Sequence, residues 1–536
     1  MSRTSSYQST LNLPWSMTPT STSSEQRTVT WPNGLQATSA TTLQSGQLSK
    51  SSTLPNGTSD SDTLGPDPRW GLQAPVALSG TLTEGSLKMT TTGNRTATLG
   101  VAGNPFSLTT ETNTLSINGR TYSSVFTTSN KTYVDTTPVK RKTTTILDSL
   151  ERVSSTQLGA LLPVQFAYDS KGRLATITQG TRSTTLGYDA NGFLSSITDP
   201  LNLNTTFTHD ADGHALTNML PDGRVITYTY DANGNLTSVT PPGKSAHDFS
   251  YTAVDLTSAY TPPTVAGTGV TSYTYNADQD LTTITRPDGG TISYGYDSAG
   301  RVSSITAPTE TVSYAYDATT GNLSTASISG GEAIAYGYNG PLPTSSTWTG
   351  TVAGSVSGAY NNNFWVTSQS INNGNTVNFT HDNDGLLTKA GAMVVKRDPK
   401  DGFVTGTMLG GALDTFKYDT FGELTGYAAK YKVGLTITTL DAVTYTLDAD
   451  GRITAKAETI GGKKTTYSYT YDQAGRLTTV KQNGVQFSSY TYDSNSNRLS
   501  ATTSSGTVTG TYDAQDRLLS YAVRLTPTLR MVKWPA

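Results

Sequence analysis

An aromatic residue followed by aspartate, with glycine three positions beyond the aspartate, recurs along most of this chain. That recurrence limits the fold more tightly than any bulk property. The clearest copies are Tyr168-Asp169 with Gly172, Tyr188-Asp189 with Gly192, and Tyr230-Asp231 with Gly234. Tyr296-Asp297 with Gly300, Tyr418-Asp419 with Gly422, and Tyr471-Asp472 with Gly475 continue the series. Looser copies lie between them, at His209-Asp210, Tyr275-Asn276, Tyr338-Asn339, Tyr360-Asn361, His381-Asp382, Leu447-Asp448, Tyr492-Asp493 and Tyr512-Asp513. Positions 168, 188, 209 and 230 are 20, 21 and 21 residues apart, and 275, 296, 316, 338 and 360 keep nearly the same step. Such a period marks a repeat array, in which one small unit is stacked many times. Between Tyr418 and Tyr471 the steps lengthen to 29 and 24, and longer loops on an unchanged plan are expected there.

One unit shows what is being repeated. In residues 228–240, YTYDANGNLTSVT, Tyr228 and Tyr230 share one face of a strand of period two. Asp231-Ala232-Asn233-Gly234 is a turn, with Asp hydrogen-bonding the backbone ahead of it and Gly taking the positive φ a tight reversal needs. Leu236 to Thr240 is the returning strand, rich in residues that suit a pleated sheet. A single hairpin is barely stable in water, so the units must pair edge to edge. The expected fold is all-β, a hairpin array forming a spiralling sheet that buries one face. Asp169, Asp189, Asp231, Asp297, Asp419 and Asp472 then act as turn residues with their paired glycines. Tyr168, Tyr188, Tyr228, Tyr230, Tyr294, Tyr296, Tyr314, Tyr316, Tyr469 and Tyr471 form an aromatic ladder between strands. Cross-strand aromatic pairs contribute about 0.2–1 kcal/mol each, so stability belongs to the array.

Four regions follow. Residues 1–27 are Ser/Thr-rich, aperiodic and read as disordered. Residues 28–146 form an N-terminal hairpin region, with turns at Pro32-Asn33-Gly34, Pro55-Asn56-Gly57 and Asn118-Gly119. Within it, 65–71 reads as a strand-breaking boundary, because two prolines fall among glycines. The repeat array occupies 147–523, with one short helical stretch as a candidate around 149–162. Residues 524–536 do not continue the pattern. They are either a divergent terminus or, the sharper reading, the product of a frameshift. Allowed codons for 525–535 read one frame over spell Tyr-Thr-Tyr-Thr-Ala-Asn-Gly-Glu-Val-Ala, another copy of the unit.

Composition then narrows the function. Only 34% of the 536 residues are hydrophobic, and 37 basic against 40 acidic residues give a net charge of −3. That balance makes no electrostatic case for nucleic acid. No apolar run approaches the ~18 residues of a membrane-spanning helix, and no signal peptide is legible. Cysteine is absent, which excludes disulfides and thiolate chemistry. The turns at Asp210-Ala211-Asp212, Asp382-Asn383-Asp384 and Asp448-Ala449-Asp450 carry carboxylates in calcium-loop style. The closing Glu is missing at 221, 393 and 459, however, so they read as turns and no metal or cofactor is expected. His209 and His381 occupy the aromatic slot of the repeat and are expected to be strand residues. The Asp residues recur with the turns, so no catalytic group stands out and no enzyme is expected.

The unit YDxxGxLxxxx, as in YDSKGRLATITQ at 168, YDANGNLTSVTPPG at 230 and YDSAGRVSSITAP at 296, resembles the YD repeats of bacterial Rhs proteins. Related repeats occur in toxin-complex proteins and teneurins. The resemblance covers at least 147–521 and extends to the earlier Pro-Asn-Gly hairpins. It implies a shell around a C-terminal toxin or other passenger, in a protein that is secreted or at the cell surface. The self-cleavage core that follows the repeats in that family has no counterpart here, and neither has the passenger, so the chain reads as a truncated member. The alternative is a cell-surface adhesin whose tyrosine faces hold carbohydrate or a receptor.

Overall fold

In the computed structural model, residues 5–8, 14–17, 20–21, 24–44 and 47–521 are described. The tail 524–536 lies outside them, as does much of 1–27, where short strands are assigned at Ser5–Gln8 and Pro14–Met17. The described chain is all-β. Among the described residues its one helical element is the 3-10 turn Thr128–Asn130. The candidate helix at 149–162 is instead a turn followed by strand Val153–Leu158, which pairs antiparallel with Lys142–Leu147. Its Thr and Val side chains favour the pleated alternative.

The hairpin at 228–240 shows how each unit closes. Strand Val225–Tyr230 pairs with Leu236–Thr240 through Thr227↔Thr240, Tyr228↔Val239 and Thr229↔Ser238. A register shift before Tyr230↔Leu236 then admits the turn. The Asp231 N–H donates to the Asn235 carbonyl at 2.9 Å, and Gly234 N–H donates to the Asp231 carbonyl at 3.1 Å. Gly234 sits at φ +85°, where a side chain on an L-residue is strained. The same closure forms at Trp31 to Leu35 and at Leu54 to Thr58, so the Pro-Asn-Gly turns share it.

The passage 65–71 does not break the chain. Strands Ser59–Asp67 and Gly71–Glu84 form one hairpin across it, with register shifts at 63/64 and 65/67. Such bulges let a strand keep pairing around proline. The buried Asp67 carboxylate holds the reversal by accepting the Arg69 and Trp70 N–H groups at 2.7 and 3.0 Å.

The chain divides into two units. One comprises Met1–Val164, Thr274–Ile284 and Gly290–Gly411; the other comprises Gln165–Tyr273, Thr285–Gly289 and Ala412–Ala536. In each, strands pair antiparallel with their neighbours in sequence, as Tyr294↔Ile305 in the first and Tyr469↔Val480 in the second. The aliphatic core is thin: among the described residues, the buried branched aliphatics are Val395, Val443 and Val480. Most inward side chains are half-buried, in the alternating pattern of Val225–Tyr230, so stability comes from many modest contacts between neighbours.

Candidate functional site

The unit that could carry function is the turn after the aromatic-Asp pair, with the side chains that converge on it. The Asp297 carboxylate shows the arrangement. Its Oδ1 accepts the Ala299 and Arg301 N–H groups at 2.8 and 3.0 Å. Its Oδ2 accepts Arg301 Nε at 2.8 Å. Asp169 with Arg173 and Asp472 with Arg476 repeat this pattern. Asp419 and Asp189 keep the backbone bonds, to Glu423 and to Phe193. Burial pushes the Asp297 and Asp472 carboxyls up, but these hydrogen bonds and the arginine charge outweigh it and hold both below the ordinary carboxylate range.

The arginine has a second contact, one repeat further on. Arg173 lies over the Tyr188 ring at 4.2 Å and Arg301 over Tyr316 at 4.0 Å. Arg452 and Arg476 cover Tyr471 and Tyr492 in the same way. Other residues substitute in this position. His214 stacks on Tyr230 at 4.8 Å, Phe193 meets His209 at 5.4 Å, and Trp365 meets His381 at 5.3 Å. The aromatic slot is therefore joined to the preceding turn by a cation or ring rather than by the next tyrosine.

Several slot tyrosines also donate their hydroxyl to the first carbonyl of the returning strand in the preceding repeat. Tyr188 reaches Leu174 at 2.7 Å, Tyr230 reaches Ala215 at 3.0 Å, Tyr296 reaches Leu281 at 2.7 Å, Tyr316 reaches Val302 at 2.9 Å, and Tyr471 reaches Ile453 at 2.7 Å. The partner tyrosines two residues earlier lie opposite aliphatic residues: Tyr228↔Val239, Tyr294↔Ile305, Tyr314↔Ala326 and Tyr469↔Val480. Tyr168 ends strand Val164–Tyr168, half-buried. Both the arginine and the hydroxyl clamp escape a reading based on pattern alone. A signal for the first was present in the recurring Arg four residues after Asp, at 152, 173, 301, 452, 476 and 517, whereas a hydroxyl given to a backbone carbonyl leaves none.

A third set of contacts joins residues some 240 to 270 positions apart within each unit. In the first unit, Arg141 at a hairpin tip donates to Asp382 at 2.9 Å and Asp384 at 2.6 Å. Arg120, at another tip, lies 4.3 Å over the Trp365 ring. In the second unit, Arg182 grips Glu423 through two bonds of 2.7 and 2.8 Å and lies 3.9 Å over Phe421. Arg224 donates to the Ser494 carbonyl at 2.7 Å, and Lys244 pairs with Asp516 at 3.0 Å. The rule is a basic residue just past the positive-φ residue of a tip, a glycine before Arg120, Arg182, Arg224 and Lys244 and Lys140 before Arg141, reaching a polar or acidic turn of a later repeat. These seams fasten the tips of an earlier run of hairpins to the turns of a later one.

The three calcium-like turns each have another use. Asp382 and Asp384 hold Arg141, and Asp448 holds Arg452 at 2.8 Å. Asp210, Asp212 and His214 bring their ligand atoms within 4.8 Å of one another. Bonds internal to the turn account for this: Asp210 accepts the Asp212 and His214 N–H groups, and its Oδ2 meets His214 Nδ1 at 2.8 Å. Among the described residues, no helix is long and apolar enough to cross a membrane.

The teneurin YD-shell family model matches residues 75–524, and the chain belongs to that family. The match starts well before 147, so much of the N-terminal hairpin region belongs to the same array. Membership carries a structural shell role. No curated protein sequence matches the chain. Among solved structures, a TcdB2–TccC3–Cdc42 crystal structure aligns at 12% identity and TM-score 0.47, over 90% of this chain and 29% of that one. A TcdB2–TccC3 structure aligns at 12% identity and TM-score 0.33, over 95% and 37%. A Photorhabdus luminescens Tc holotoxin pore aligns at 11% and 0.27, over 95% and 37%. The chain thus spans well under half the length of the solved chains it matches.

Proposed function

We propose that this chain is wall material of a toxin-delivery shell, an exported, non-enzymatic sheet that encloses a passenger until release. The observation that carries this reading is the seam. In each unit, tip cations such as Arg141 and Arg182 bind later turns at 2.6–2.9 Å and so close an earlier run of hairpins against a later one. A strip of hairpins whose successive runs are fastened turn to turn is a continuous surface, as a wall requires. The tyrosines support the same reading over a sugar-binding one. Their hydroxyls are donated to neighbouring carbonyls and several of their faces are covered by arginine, which leaves little to offer a ligand.

The test is protease protection. A small reporter fused after residue 536 should resist a protease that digests the free reporter. Arg141→Ala and Arg182→Ala, by opening a seam in one unit each, should restore digestion. Equal digestion of the fused and free reporter would remove the shell reading.

A further inference from the structure

The long step between Tyr418 and Tyr471 produces longer strands rather than a loose loop. Leu424–Val433 and Thr436–Leu447 form a hairpin that closes at Val433↔Thr436, with Gly434 at φ +60°. One neighbouring strand stops at Ala412↔Tyr431 and the other at Asp441↔Ile460. The hairpin therefore projects past both, and every residue from Tyr431 to Leu440 is exposed. Its tip is apolar: Leu435 is 99% exposed, Val433 68% and Ile437 55%. Exposing large aliphatic side chains together at a projecting tip works against solubility unless something receives them.

The charge around the tip indicates what that is. The segment 430–440 carries Lys430 and Lys432 and no acidic residue. Beside its base, Lys463 and Lys464 begin the next hairpin arm, both exposed. Of the nearby acids, Glu458 is engaged by Lys456 at 3.1 Å, and Asp441 lies at the base, half-buried. Apolar side chains occur on both faces of the ribbon, because Lys432↔Ile437 and Val433↔Thr436 are successive rungs. Apolar character is therefore greatest at the very end, at Val433 and Leu435, and the basic residues begin one rung below, where Lys432 shares a rung with Ile437. A protein groove would want one apolar face; a lipid surface wants an apolar end.

We propose that this hairpin docks the protein on an anionic lipid bilayer. Val433, Leu435 and Ile437 enter the boundary between headgroups and acyl chains. Lys430, Lys432, Lys463 and Lys464 meet the headgroup phosphates, the longer stems snorkelling past the apolar end. The backbone groups of residues 436–439 that face away from the paired arm stay at headgroup level, where water satisfies them.

Flotation of the full chain with vesicles tests this. Binding is expected to vesicles of phosphatidylcholine mixed with phosphatidylglycerol, and much weaker binding to phosphatidylcholine alone. Leu435→Glu should abolish it, while Lys432→Gln and Lys463→Gln should each weaken it about fivefold. Circular dichroism checks that each variant keeps its sheet. Absence of flotation with either vesicle, or flotation unchanged by Leu435→Glu, would overturn the proposal. So would a concentration-dependent dimer that Leu435→Glu dissolves without any effect on vesicle binding, which would assign the tip to a second copy.

Discussion

At the scale of single residues, the repeat is defined by hydrogen bonds that a hydrophobic pattern does not contain. The Tyr296 hydroxyl is one, donated at 2.7 Å to Leu281. Replacing it with Phe keeps the ring and loses the bond. Tyr296→Phe is expected to cost about 1 kcal/mol locally, read by hydrogen exchange as faster opening of 281–285 and 291–296. The turn glycines differ among themselves in a testable way. A Cβ on Gly234 would sit 2.9 Å from His214 Nε2, whereas one on Gly300 meets nothing within 4 Å. Gly300→Ala should therefore cost only backbone strain, about 1–2 kcal/mol, and Gly234→Ala distinctly more, by the same measurement. Some of the looser copies keep the turn without glycine: Gln279 stands at φ +70° in the equivalent position. Gln279→Gly is expected to slow opening of that turn, and faster opening would show that the strain is compensated elsewhere.

At the scale of elements, hairpins are joined in two directions. Along the sequence, arginine bridges one turn to the next ring; within each unit, tip cations bridge to turns far along the chain. The Arg182–Glu423 pair is the clearest of the long-range bonds, bidentate and largely withdrawn from solvent. A double-mutant cycle on Arg182→Ala and Glu423→Ala is expected to give a coupling of about 1–2 kcal/mol, which additive behaviour would contradict. Because repeats contact mainly their neighbours, the damage should stay near the seam instead of unfolding the array. This direction was hardly legible in the sequence. The turn chemistry of Asp231 and Gly234 could be read from residues four apart, and so could the aromatic slot held by His209 and His381. The partner of Arg182 lies 241 residues away, and local spacing carries no information about which later turn a tip will meet.

For the molecule as a whole, charge coupling sets the response to pH. Asp297, Asp448, Asp472 and Asp493 are each raised by burial and lowered further by their hydrogen bonds, ending below the ordinary carboxylate range. Groups depressed in the folded state contribute stability that is fully present above the unfolded pKa and lost as pH falls through the folded one. Denaturation midpoints should therefore hold steady above about pH 5 and fall below about pH 4. A midpoint that rises on acidification would contradict this. Asp450 runs the other way: burial first, then the nearby Asp199 carboxylate, raises it. Its contribution is lost as pH rises through its folded pKa, but Asp450 is exposed and solvent screens it, so Asp450→Asn should stabilise the second unit only slightly at neutral pH.

The repeating hairpin and its turn could be had from sequence alone, because they depend on residues two to five positions apart; the thinness of the aliphatic core among the described residues could not. The sequence also marked the stretched step after Tyr418, although as a loop. Only the tertiary structure decided that the extra residues extend two paired strands past their neighbours, and which tip cation meets which later turn. Both outcomes depend on how far each strand reaches relative to others distant in the chain. That relation is set by packing of whole hairpins and is not encoded in any one of them.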